Sequence, residues 1–330
     1  MEEFKLIEFQ QTRDFSRKIN TTFEFLRQNF KALMKSILYI AGPPVLVGSL
    51  LLGSFIGDFF SLLQGAQTGS NPELAADYFL SVSFWLQLSL MILLLFISYI
   101  ITIATINSYI ILYQEKQTNK LEVSEVWNKT RQLFWPYLGT TVLFFLVFLV
   151  VYIVLLIPVF ILGDMSSLLL LFIGFPVLIC GVIYLMISAS LTYFVQAYEK
   201  KNFFDSIARS FRLVNNGKWW STFGLLFILQ MIVGTISYIF LIPYYIIVFT
   251  ASLHSAQSGA PFELSETMGL IILVCFTLYY MAQMLLYSLP HLGVAFQYFN
   301  LVELKEARGL MSQIETLGKP DAGPRPEENF

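Results

Sequence analysis

The sequence predicts an all-α polytopic membrane protein: six transmembrane helices in three hairpins, each hairpin preceded by an amphipathic helix on the cytoplasmic interface. Composition is the first reason. The 330 residues are 56% hydrophobic and 13% charged, with a mean hydropathy of +0.68, whereas soluble domains carry about 25% charged residues. The second reason is that the apolar residues gather into six continuous runs: 36–63, 84–113, 137–162, 167–197, 221–250 and 268–299. Each meets the requirement of about 20 residues for a hydrocarbon core of about 30 Å. Several exceed it, which calls for tilt or extension beyond the bilayer. Barrel strands, about 10 residues long and alternating in polarity, fit these runs poorly. The third reason is charge placement. All 20 Lys and Arg lie in 1–35, 114–136, 198–220 and 300–330, and none in 64–83, 163–166 or 251–267. Basic residues beside spans stay on the cytoplasmic side, so both termini are expected inside.

Taken in order, residues 1–35 read as a cytoplasmic amphipathic segment with no cleavable signal peptide. Phe15, Ile19, Phe23, Leu26 and Phe30 recur at helical spacing between charged positions such as Arg17, Lys18 and Glu24. Residues 36–299 form the membrane domain. Before span 3 comes a second stripe, Val123, Val126, Trp127, Thr130, Leu133 and Phe134. Before span 5 comes a third, Phe203, Phe204, Ile207, Ala208, Phe211 and Val214. The layout of surface helix, aromatic cluster and hairpin thus recurs three times. Asn215, Asn216 and Gly217 are expected to turn the chain from the surface into span 5, because Asn and Gly tolerate left-handed backbone. Pro158, Pro176, Pro243 and Pro290 are expected to kink the spans that hold them. Residues 300–330 read as a cytoplasmic extension: a polar helix over 300–316, then a Pro-, Gly- and charge-rich tail over 317–330 expected to be disordered.

Candidate site residues fall into two groups. Arg209, Arg212, Lys218, Trp219, Trp220, Trp127, Lys129, Arg131 and Trp135 have the composition of interfacial anchors, because Trp rings favour the headgroup level and basic side chains reach phosphates. They are also candidates for binding anionic lipid headgroups. Asn107, Gln230, Gln283 and His291 lie within or near the ends of apolar runs, and are candidates for polar bridges between helices or for lining a small polar cavity. Asp58 reads as an outer-surface cap. Cys180 and Cys275 read as core residues, with no Cys or His at ligand spacing.

No Walker loop, H-E-x-x-H or G-x-S-x-G motif is present. The span interiors carry no Lys or Arg, which argues against an ion-coupled transporter with ionisable groups at mid-depth. His254 and His291 fall on opposite sides of the expected topology. No catalytic, metal or cofactor site is therefore assigned, and no cofactor is expected.

The stretch "SFRLVNNGKWWSTFGLLFIL" (210–229), with the surface helix before it and the six spans, resembles the bacterial membrane-domain superfamily found attached to glycerophosphodiester phosphodiesterases and its stand-alone relatives. The resemblance covers most of residues 10–300. It implies a multi-pass protein of the bacterial inner membrane. It carries no activity over, because no segment outside the spans is long enough to hold the phosphodiesterase domain. Some proteins of this appearance carry a carotenoid-oxygenase label. That chemistry takes four histidines on iron, and the chain has two.

Three functions follow as expectations. The first is a non-catalytic accessory, assembly or scaffold subunit of a membrane complex, with a membrane-protein partner, anionic lipids at the cytoplasmic face and no nucleic acid. The alternative is a carrier or permease for a lipid or apolar small molecule, which requires a cavity between the hairpins. The third is an intramembrane enzyme acting on lipid, supported only by the resemblance.

Overall fold

Six helices among the described residues are long and apolar enough to cross a membrane: those beginning at Gly42, Val82, Val123, Phe175, Trp219 and Thr267. The computed structural model describes residues 6–67, 77–162, 174–259, 265–307 and 311. All regular structure among them is helical. The tail over 317–330 and most of 300–316 beyond Ala307 lie outside the described residues.

Helix α1 (Phe15–Ile40) starts at Asp14, whose carboxylate accepts from the Arg17 amide and satisfies a donor that the helix leaves free. It stops at Ala41, and α2 (Gly42–Gln67) begins at once. Pro43 and Pro44 fit the first turn of α2 but could not continue α1. The first apolar run is therefore split, its residues 36–40 belonging to α1. Helix α3 (Val82–Lys116) is capped by Ser81. Helix α4 (Val123–Leu162) is unbroken. The stripe before span 3 is thus the first part of the spanning helix and not a separate surface helix: the change there is in composition, and the helix runs on through Pro136 and Gly139. Helices α5 (Phe175–Ser188) and α6 (Thr192–Glu199) make span 4. Helix α7 (Phe203–Val214) ends at Asn215, and Gly217, at φ +72°, turns the chain into α8 (Trp219–Tyr238). A single 3-10 turn, Ile239–Leu241, joins α8 to α9 (Ile242–Ser258). Pro243 in the first turn of α9 accounts for the irregularity, since it has no N–H for the ladder. Helices α10 (Glu266–Leu286) and α11 (Ser288–Glu306) make span 6.

The core sits at the basic end of the bundle, where the Lys- and Arg-bearing segments meet. Helix α11 is buried on all sides from Ser288 to Gly293 and on to Val302, apart from half-buried His291. It packs against α1, α3, α6, α7 and α8. Phe9 stacks on Phe296 at 4.8 Å and meets Phe25 edge-on at 5.6 Å. Tyr113 donates a ring edge to Phe25 at 4.8 Å, and its hydroxyl accepts from the Ile7 amide at 3.1 Å. Toward the base-free end burial falls away, and α9 buries no residue. The gradient has a physical cause. Apolar side chains gain nothing by leaving lipid for protein, whereas at the watered end their burial is driven by the hydrophobic effect.

Helix α1 differs from the sequence reading. Its deepest stripe is Lys18, Thr22, Phe25, Asn29, Leu33 and Ile37. The expected stripe forms the flank. Phe15, Ile19 and Leu26 pack on Leu225, Leu229 and Val233 of α8, while Phe23 and Phe30 are exposed. The buried polar members are partnered. Lys18 Nζ donates to Gln297 Oε1 at 2.7 Å and Ser221 Oγ at 3.0 Å. Gln297 in turn donates to Thr222 Oγ1 at 2.8 Å. Tyr109 donates its hydroxyl to Asn29 Oδ1 at 3.0 Å. The helix is thus sewn into the bundle by polar contacts to α8, α11 and α3.

One corner recurs. Gln117, Lys200 and Ala307, with φ of 52°, 53° and 47°, close α3, α6 and α11 with a left-handed residue that is not glycine. Just before two of these corners, Glu115 pairs with Lys129 at 3.0 Å and Glu199 with Arg209 at 3.1 Å. Lys129 and Arg209 are each the seventh residue of the next helix, counting Val123 and Phe203 as first.

Two predictions test this packing. A Cβ on Gly53 would lie 3.0 Å from the Leu273 Cα where α2 crosses α10, whereas one on Gly234 would meet nothing within 4 Å. Gly53→Val should cost about 1–3 kcal/mol through overpacking, and Gly234→Val should leave the unfolding midpoint in detergent unchanged. Burial, with Lys218 nearby, pulls the Lys18 ammonium down to about 8. Between that value and its ordinary value of about 10.4, the unfolded chain binds a proton that the folded chain does not. Stability should therefore rise as pH increases from 8 to 10, by up to roughly 3 kcal/mol. Comparing denaturant unfolding of the native chain and Lys18→Met at both pH values isolates this contribution, which the variant should lack.

Candidate ligand cavity

Two of the six apolar spans are interrupted within their length, and each interruption has a local cause. Span 4 breaks over Ser188–Leu191, between α5 and α6. Its released backbone groups are taken up by α7. Ser210 Oγ donates to the Ser188 carbonyl at 2.6 Å and accepts from the Leu191 amide at 3.2 Å. Ser188 Oγ donates to Asn215 Oδ1 at 2.9 Å. Span 6 breaks at Tyr287, between α10 and α11. Pro290 has no N–H to continue the ladder across that point, and Ser288 Oγ donates to the Leu285 carbonyl at 2.8 Å instead. Broken backbone is tolerated in a membrane only where protein groups re-pair it or where it lines a cavity. Here both conditions hold.

The breaks border a cavity of about 690 Å³. Helix α4 supplies Thr141, Phe144 and Phe148 to its wall, and the α5–α6 break supplies Ser190 and Tyr193. Phe223, Leu226, Phe227 and Gln230 come from α8, and Tyr287, Pro290, His291 and Val294 from span 6. Phe96 and Tyr99 come from α3, and Ile207 and Phe211 of α7 close the basic end. No Asp, Glu, Lys or Arg is among the described wall residues. The volume is in the range of about 300–1,000 Å³ typical of small-molecule sites.

Polar groups are gathered on one side. Thr141 Oγ1 and Tyr193 OH are 2.8 Å apart. Asn107 Nδ2 donates to Tyr137 OH at 2.7 Å, and Tyr137 OH donates to the Tyr193 carbonyl at 2.8 Å. This chain ties α3, α4 and α6 together behind the wall. The Tyr287 ring is 6.2 Å from Tyr99 and 5.1 Å from His291, centroid to centroid. Among the described residues, no group of three or more His, Cys, Asp or Glu is placed to hold a metal ion.

The structure separates the sequence candidates. Asn107 joins helices, while Gln230 and His291 face the cavity. Among the described residues, the Gln283 side chain makes no hydrogen bond to another helix. Asp58 is half-buried near the C-terminal end of α2. Cys275 is buried, but Cys180 is exposed on α5, since an apolar thiol needs no protein cover on a lipid-facing helix. Arg212, Lys218, Trp220, Trp127, Arg131 and Trp135 are exposed. Two basic candidates are not free. Lys129 is paired with Glu115. Arg209, nearly buried, binds Glu199 at 3.1 Å and Glu306 at 2.5 Å. Trp219 turns inward, stacked on Tyr184 at 5.7 Å and Phe223 at 5.4 Å. The sequence reading did not single out Tyr99, Tyr193 and Tyr287. The available signal was their position: one in each returning span, away from the ends where interfacial tyrosines belong.

Comparison of the chain with family models, with curated proteins and with solved structures gives no match.

The two kinds of basic residue should respond differently to substitution. Arg209→Gln leaves the Glu199 and Glu306 carboxylates without their shared cation and should cost roughly 3 kcal/mol. Lys218→Gln should change stability by no more than about 0.5 kcal/mol. Unfolding midpoints in one detergent check both.

Proposed function

We propose that the protein holds an apolar or amphipathic membrane molecule in this cavity, as a carrier or permease for lipid. The observation that carries the reading is a space of about 690 Å³ at span depth, walled by aromatic rings and uncharged polar groups. A core built only to support a neighbouring subunit would gain from filling such a space, because a void forfeits packing contacts. The accessory-subunit reading has no structural observation of equal weight behind it.

The orientation follows from charge. With basic residues kept on the cytoplasmic side, α7 and both termini face the cytoplasm and the cavity opens into membrane rather than toward that side. The recurrent corner at Gln117, Lys200 and Ala307 and the paired Glu–Lys and Glu–Arg contacts support one hairpin unit used three times. The exposed Trp and basic residues around those corners support an interfacial seat against anionic headgroups. A bacterial inner membrane is the setting implied by the resemblance at 210–229.

Native mass spectrometry of the protein, extracted from its own membrane in a mild detergent, tests the reading. We expect a retained non-peptide mass on the isolated chain. Val147→Trp with Leu226→Trp narrows the cavity from opposite walls, and should reduce that mass by about tenfold, a loss of about 1.4 kcal/mol. A bare chain, or a mass that the double variant retains unchanged, would overturn it.

A further inference from the structure

We infer that the occupant of the cavity carries an uncharged, hydrogen-bonding head, a hydroxyl or carbonyl on a long apolar chain, seated among Tyr99, Tyr287 and His291. The inference rests on the carrier reading and adds the class of molecule to it.

Hydrogen-bonding capacity comes first. Thr141 and Tyr193 satisfy one another at 2.8 Å. Among the described residues, the side chains of Tyr99, Gln230, Tyr287 and His291 make no hydrogen bond within the protein. All four line the cavity. Tyr287 and His291 are half-buried and Tyr99 and Gln230 are exposed, so all four have capacity to pair with a guest. A hydroxyl offers one donor and two acceptor positions, and phenol and imidazole groups can meet it in either sense.

These groups are also together. Tyr287 is within ring contact of both Tyr99 and His291. The rest of the wall is aromatic and aliphatic, which suits a chain.

Charge decides the head group. A phosphate or carboxylate in this wall would meet no Lys or Arg. Two cations lie beside the α7 part of the wall in sequence: Arg209, which points instead to Glu199 and Glu306, and Arg212, which is exposed and outside the wall. Burying an ion without a counter-charge is strongly unfavourable, whereas a neutral head loses only hydration that the tyrosines replace.

The test uses three probes with related chains, namely oleyl alcohol, oleyl phosphate and octadecene, titrated onto the full-length protein and read by native mass spectrometry. The alcohol should bind about tenfold more tightly than the other two, the worth of one or two net hydrogen bonds. Tyr287→Phe with His291→Leu should erase the alcohol's advantage while octadecene binds as before. His291→Gln, which keeps a donor and an acceptor, should retain part of it. Unchanged octadecene binding also shows that the variants are folded. Equal binding of alcohol and octadecene, or tighter binding of the phosphate, overturns the head-group inference and leaves the carrier reading standing. Binding of none of the three by the native chain overturns both.

Discussion

The arrangement depends on the hydrogen bonds that Ser210 and Asn215 make with the Ser188–Leu191 break. Inside a bilayer, a backbone N–H or carbonyl that leaves its helix has no water to turn to. The chain meets this demand with side chains from a helix that lies outside the spans. Because α7 is held there, span 4 can change direction, and because span 4 changes direction, α4 and α8 stand apart with a cavity between them. Arg209 fixes the other side of α7 to α6 and α11 through Glu199 and Glu306. A short amphipathic helix is in this way both a splint for the break and one wall of the space beside it.

A second constraint is the change of solvent along the bundle. At the basic end the core resembles that of a soluble protein, with stacked and edge-on aromatic rings around α11 and partnered polar groups between helices. Toward the base-free end the helices present apolar side chains outward. The same residue types occur at both ends, so the difference arises from what surrounds them and not from composition.

Much of this was legible in the sequence, for reasons that also mark where legibility stopped. Length and apolar continuity locate spans because the bilayer sets a minimum length. Gly217 was readable because its left-handed turn favours glycine. The buried face of α1 was not, because periodicity assigns Lys18 and Asn29 to the outside, whereas Gln297 and Tyr109, far along the chain, make it worthwhile to bury them. The continuity of α4 was missed because Arg131 and the aromatic cluster after it mark the membrane boundary without marking a break in the backbone. The cavity was hidden for a further reason. Helices α4 and α8 are apolar on nearly every face, and such a sequence does not tell a side that meets lipid from a side that meets a void. Only His291 and Gln230, already noted as polar groups within spans, pointed to it.

The double use of α7 has a consequence for traffic. Its Ile207 and Phe211 close the cavity toward the basic end, its Ser210 holds the backbone of span 4, and Asn215 at its end accepts from the Ser188 hydroxyl. Displacing α7 to let a molecule out on that side would strip the break of its partners at the same moment. A guest of the cavity would therefore exchange sideways with the surrounding leaflet, at a rate governed by its abundance in the membrane and not by its concentration in water.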